Sequence, residues 1–80
     1  MRNYVKRDIL LLISKRAGLN MSQIAKDTGF SYVTIFNCIT LFRTNGFITT
    51  RLSGTNRICS ITIKGTKELD KLVESCSENR

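Results

Sequence analysis

From Asn3 to Arg16 the apolar residues Val5, Ile9, Leu12 and Ile13 recur at i, i+4, i+7 and i+8, the spacing that lines one face of an α-helix. Lys15 and Arg16 fall in its last turn, where cations suit the helix dipole, and Gly18 offers a left-handed stop. Leu10 and Leu11 lie off that stripe, so this helix, about residues 3–16, is wrapped on several sides or meets a partner. A second helix is predicted over about 21–28: Asn20 caps it while Gln23 reaches back, and Gly29 halts it. Ser31 caps a third, about 32–45, whose Ile35, Cys38, Ile39 and Phe42 again fall at i, i+3, i+4 and i+7 before Asn45-Gly46 stops it.

From Phe47 the period changes. Residues 47–52 are β-branched and aromatic, Ser53-Gly54-Thr55-Asn56 is a turn, and Arg57 to Ile61 alternates, which together predict a β-hairpin over about 47–61. Thr62 then caps a last helix, about 63–75, striped by Leu69, Leu72, Val73 and Cys76, with a fraying tail beyond Ser77. The expected fold is α+β, mainly α: three helices, a hairpin and a C-terminal helix in one domain spanning residues 1–80. A chain of this length buries roughly 60–65% of its unfolded surface, enough for one modest core. The second and third helices are joined only by Gly29-Phe30-Ser31, too short for anything but a steep crossing.

Charge adds a direction. The net charge is +7, and residues 1–60 hold nine Lys/Arg against two acids, Asp8 and Asp27. Residues 61–80 hold four of each sign, so the excess lies in the first three quarters, with no acid at all between residues 28 and 60. A one-sided basic field attracts polyanions. A membrane surface fits poorly, because no helix sets a basic face against a strongly apolar exposed one. The longest apolar run, Ile9 to Ile13, is far short of a membrane span, and Met1-Arg2-Asn3-Tyr4 has no signal-peptide character. A soluble protein of a prokaryotic or viral-host cytoplasm is expected.

Three widely spaced cysteines and no histidine leave little material for a zinc site or a disulfide framework, so no metal and no cofactor are expected. Cys38 and Cys59 read as small core hydrophobes. Catalysis is not expected either: there is no His, no paired carboxylates in a plausible pocket and no Gly-rich phosphate loop, and no base stands by a cysteine.

The functional signal lies in residues 21–40, MSQIAKDTGFSYVTIFNCIT. Two tightly crossed helices need a small residue at the crossing and a turn residue tolerant of positive φ, and Ala25 and Gly29 supply them. Ile24, Phe30, Ile35 and Cys38 clamp the second helix of the pair onto the first. In these features the chain resembles helix-turn-helix proteins. S-x-x-T-I-x-N over 31–37, followed by F-x-x-N-G-F-I over 42–48, is similar to the winged-helix branch. Ile61-Thr62-Ile63-Lys64-Gly65 resembles the Leu-Thr-x-Lys-Gly segment that opens the last helix of MarR-type and related archaeal regulators. The resemblance covers roughly residues 5–73 and implies a winged helix-turn-helix that binds double-stranded DNA as a transcription regulator.

Geometry then assigns candidate roles. With 35, 38, 39 and 42 buried, Ser31, Tyr32, Val33, Phe36, Asn37 and Thr40 face outward, and the N-terminal part of this recognition helix would enter the major groove. Asn37 has the donor and acceptor to read an adenine edge, Ser31, Tyr32 and Thr34 can bond phosphates or bases, and Val33 or Phe36 suits a thymine methyl. The resembled families often carry Arg at the place of Asn37, so guanine reading there is in doubt. The hairpin is the wing: Arg51 and Arg57 flank a tip of Ser53, Thr55 and Asn56, suited to phosphates or a narrow minor groove. Arg2, Lys6, Arg7, Lys26 and Arg43 are candidates for further backbone contacts. The alternative is a winged-helix adaptor that docks a protein without binding DNA. The last-helix stripe packs on the first helix or, with the surplus Leu10 and Leu11, forms a twofold homodimer that would read a palindromic site; the balance falls on the dimer.

Overall fold

α1 (Asn3–Lys15) is the helix against which the other elements assemble. The structure, a computed structural model, describes residues 2–77, apart from the side chains of residues 76 and 77. Along α1 the buried residues are Val5, Ile9, Leu10 and Ile13, while Leu12 is only half-buried. The periodic stripe is therefore shifted. α4 (Ile63–Ser77) packs along α1 on one flank and the rest of the fold on another, so the covered arc is wider than one stripe. Leu10, about 140° around the helix from Val5, falls inside it. Leu10 has no exposed surface, which corrects its expected use in a dimer: it is spent on the core of its own chain. Leu69 and Leu72 of α4 are buried as well, whereas Val73 is 42% exposed. The place of Cys76 on that stripe, like the tail beyond Ser77, lies outside the described residues.

α2 (Met21–Thr28) and α3 (Tyr32–Thr44) owe their lengths to local bonds. Asn20 Oδ1 accepts from Gln23 N at 2.9 Å, and Asn20 N donates to Gln23 Oε1 at 3.0 Å, so two otherwise orphaned donors satisfy each other's residue. The chain leaves α2 through Gly29, at φ +79°, whose N–H bonds the Ala25 carbonyl at 2.9 Å. A side chain would be strained there. Ser31 Oγ then accepts from Thr34 N at 3.2 Å and starts α3. Phe30 between the helices is half-buried, its ring 6.5 Å from that of Tyr4.

The hairpin strands are β2 (Ile48–Ser53) and β3 (Asn56–Ile61), joined through Gly54-Thr55 with Gly54 at φ +63°. Positive φ at the first central residue is what a tight II′-type hairpin turn requires. A third strand that hydrophobic alternation did not predict, β1 (Leu19–Asn20), pairs with β3, with Leu19 opposite Cys59 and Asn20 opposite Ile58. Two residues are too few to display a period. The antiparallel sheet has the order β1-β3-β2.

A clasp joins the hairpin base to α4. Thr62 N donates to the Phe47 carbonyl at 3.0 Å, and its hydroxyl lies 2.7 Å from the Gly46 carbonyl and 3.0 Å from that of Phe47. The same hydroxyl accepts from Gly65 N at 3.0 Å, capping α4. Gly65 is needed for space: a Cβ there would fall 2.8 Å from the Phe47 carbonyl carbon and closer still to its oxygen. The Thr-x-x-Gly of residues 62–65 thus has a packing reason. The fold is the α+β winged helix-turn-helix expected from the sequence, with four helices and a three-stranded antiparallel sheet.

Candidate nucleic-acid interface

The inward side of α3 (Ile35, Cys38, Ile39 and Phe42) is buried, and the other side is bare. Ser31, Tyr32, Val33, Phe36, Asn37 and Thr40 are exposed, and Thr34 is half-buried. Val33 and Phe36 are 67% and 52% exposed, an apolar display that a soluble helix face carries at a cost. Three of the hydroxyls already have partners within the helix. Ser31 Oγ and Thr34 Oγ1 share a hydrogen bond at 2.9 Å, and Thr40 Oγ1 donates to the Phe36 carbonyl at 2.9 Å.

Beside this helix stands the wing, and its pleat divides the candidate residues. Side chains alternate between faces along a strand, and Arg57 pairs with Leu52 while Arg51 pairs with Ile58. Arg57 therefore shares the face of the buried Cys59, and Arg51 points from the opposite face. The two arginines that flank the tip in sequence do not act from one surface. Arg57 is half-buried and donates from Nη1 to Thr50 Oγ1 at 3.4 Å, while Arg51, Ser53, Thr55 and Asn56 are exposed.

Arg57 forms part of two clefts between the wing and the helix pair. One, of about 220 Å³, sets Arg57, Thr55 and Asn56 against Tyr32 and against Met21 and Ser22 at the start of α2. The other, of about 120 Å³, sets Arg57 against Phe36, Thr40 and Arg43 of α3. Wing and α3 thus meet at one guanidinium. Ser22 was not singled out from the sequence. Its only local signal is a small polar residue in the first turn of α2, off the buried Met21/Ile24 side, and only the tertiary arrangement brings it to Tyr32.

The remaining cations divide in the same way. Lys26 is exposed one turn beyond Ser22 on the same side of α2, and Arg43 borders the second cleft. Arg2 (exposed), Lys6 and Arg7 (both half-buried) lie on or beside α1 and line neither cleft; Arg7 pairs with Asp8 at 2.8 Å. Asp27, the sole acid between residues 9 and 67, is paired with Arg16, so the field around α3 and the wing stays positive. Cys38 and Cys59 are fully buried free thiols. Burial pushes the Cys38 thiol up to about 12 against the opposing pull of the nearby Lys6 charge, and burial likewise raises Cys59 despite Arg57.

By sequence the chain matches no protein-family profile and no curated protein. By structure it is similar to a MarR-family transcriptional regulator from Rhodococcus sp. RHA1, at 18% identity and TM-score 0.78 over 88% of this chain and 51% of that one. It is also similar to AF1382 from Archaeoglobus fulgidus, at 17% identity and TM-score 0.80, covering 100% of this chain and 92% of the other. A third similar structure is a mutant of S. aureus MepR bound to an oligodeoxyribonucleotide, at 18% identity and TM-score 0.77 over 92% and 57% of the two chains. The chain spans about half the length of the MarR-type regulator. These likenesses place the fold among winged helix-turn-helix structures. Among the described residues, no helix is long and apolar enough to cross a membrane.

Proposed function

We propose that the chain is a sequence-specific double-stranded DNA-binding transcription regulator, with the N-terminal part of α3 in the major groove and the wing on the backbone or minor groove. The observation that carries this reading is an uncovered recognition-helix face bordered by Arg43 and Arg57, inside a stretch of sequence without an acid. Tyr32 and Ser22 beside the Arg57 cleft supply hydroxyls for phosphates, and Arg51 a second cation on the far side of the ribbon. Anisotropy titrations of a labelled duplex at several salt concentrations test it. With about five phosphates neutralised, log K should fall against log salt with a slope near −4 to −5. A flat response would instead favour a protein partner docking on Phe36 and Leu41.

On DNA we propose a twofold pair, for which half-buried Leu11 and Leu12 of α1 and exposed Ile63 and Val73 of α4 are among the apolar residues at the surface. Sedimentation showing a 9.1 kDa protein when free, and one copy per duplex when bound, would rule out the pairing and leave the DNA reading intact.

A further inference from the structure

We infer that α3 selects its site through thymine methyl groups, with Phe36 and Val33 as the specificity-determining residues and A·T pairs under the middle of the helix. The inference rests on the DNA-binding reading above and adds which bases are read.

Three observations carry it. The first is what the outward face lacks: from Ser31 to Phe42 no residue is charged, and Arg43 arrives only in the last turn. The usual guanine reader, an Arg or Lys spanning O6 and N7, is therefore absent from the part of the helix that enters the groove. The second is the state of the hydroxyls. Ser31 and Thr34 bond each other, and Thr40 gives its proton to the Phe36 carbonyl, so Thr40 can offer a partner its methyl and acceptor lone pairs but no donor. The third is alignment. Residues 33, 36, 37 and 40 follow the i, i+3, i+4, i+7 line of one helix face, so the Val33 methyls, the Phe36 ring and the Thr40 methyl form one apolar strip beside the Asn37 amide.

A strip of this composition has one complementary feature in the major groove. Thymine alone among the bases presents a methyl there, and the adenine paired with it offers the N6/N7 edge that a carboxamide matches. The surrounding charge decides which class of partner reaches the strip. The wing and the far end of α3 contribute Arg57 and Arg43 with no nearby acid, and a polyanion satisfies them where a neutral protein surface would not. Burying one methyl against the strip is equivalent to about a fourfold change in affinity.

The experiment starts from a random-sequence duplex pool. Bound duplexes are recovered, and the best one is remade with deoxyuridine at each thymine in turn, which deletes only the methyl. The expected result is a recovered core rich in A·T pairs and a loss of about fourfold at one or more thymines. That loss should disappear in Phe36→Ala or Val33→Ala, both at exposed positions where the fold tolerates truncation. A G·C core, or deoxyuridine costing less than about twofold everywhere, overturns the inference. Salt-dependent binding with no sequence enriched also overturns it while leaving DNA binding in place. Failure to bind any duplex removes both readings.

Discussion

α3 and the wing stand side by side, yet they offer a partner opposite chemistries. The middle of the helix's outward face is aromatic, aliphatic and amide, with the hydroxyls of Ser31, Thr34 and Thr40 bonded within the helix; the ribbon is polar and cationic, with Arg51 and Arg57 on opposite faces. The difference follows from geometry. A helix presents about one residue in three or four along a line, so one face can be kept free of charge, whereas a strand sends successive side chains to alternate sides. If the chain binds DNA as proposed, discrimination and general affinity fall on different elements, and substitutions should separate them.

The severest way to break the comparison is to detach the wing from the helices. Gly65→Ala places a carbon against the Phe47 carbonyl, and we predict a loss of about 3 kcal/mol in chemical denaturation. A melting curve equal to that of the parent would show that the clasp yields. Next in size is the contrast between the arginines. Arg57→Ala should weaken binding to all duplexes by about tenfold and flatten the salt slope by about 1, leaving sequence preference unchanged. Arg51→Ala should do the same about threefold, because it reaches only from the far face. Equal losses from the two would refute the division of the ribbon by its pleat, and a changed base preference would refute the division of labour.

The smallest effect, as read just above pH 9, concerns the inward sides of the two elements, where Cys38 of α3 and Cys59 of β3 lie. Their folded pKa values are raised, so the folded state holds protons that the unfolded chain releases first. Stability from this source is intact below the unfolded value of 9.0 and declines as pH climbs toward about 12, the Cys38 value. Denaturation midpoints at pH 7 and 8 should agree and then drop from pH 9 upward, less so in Cys38→Ala. A midpoint that rises above pH 9 would contradict the assignment.

Much of this was legible from residue order. The reciprocal Asn20/Gln23 bonds, the positive φ of Gly29 and the Ser31 and Thr62 caps are each encoded within four residues, and the inward stripe of α3 within the eight from Ile35 to Phe42. What was not legible depends on distant neighbours. Leu10 is buried because two flanks of α1 are covered, and Leu19 joins the sheet because Cys59 lies opposite. Ser22 reaches Tyr32 only through the crossing of two helices. Arg51 and Arg57 looked equivalent because strand register, set across the hairpin, decides which face each takes.

Thr62 satisfies carbonyls at two positions of the hairpin base while its hydroxyl starts α4. Ribbon and terminal helix consequently share a hinge pin. Amides of β2 nearest Phe47 and those opening α4 would exchange with solvent in a single cooperative event. A load applied anywhere along α4 would arrive at the root of the ribbon, not at its tip.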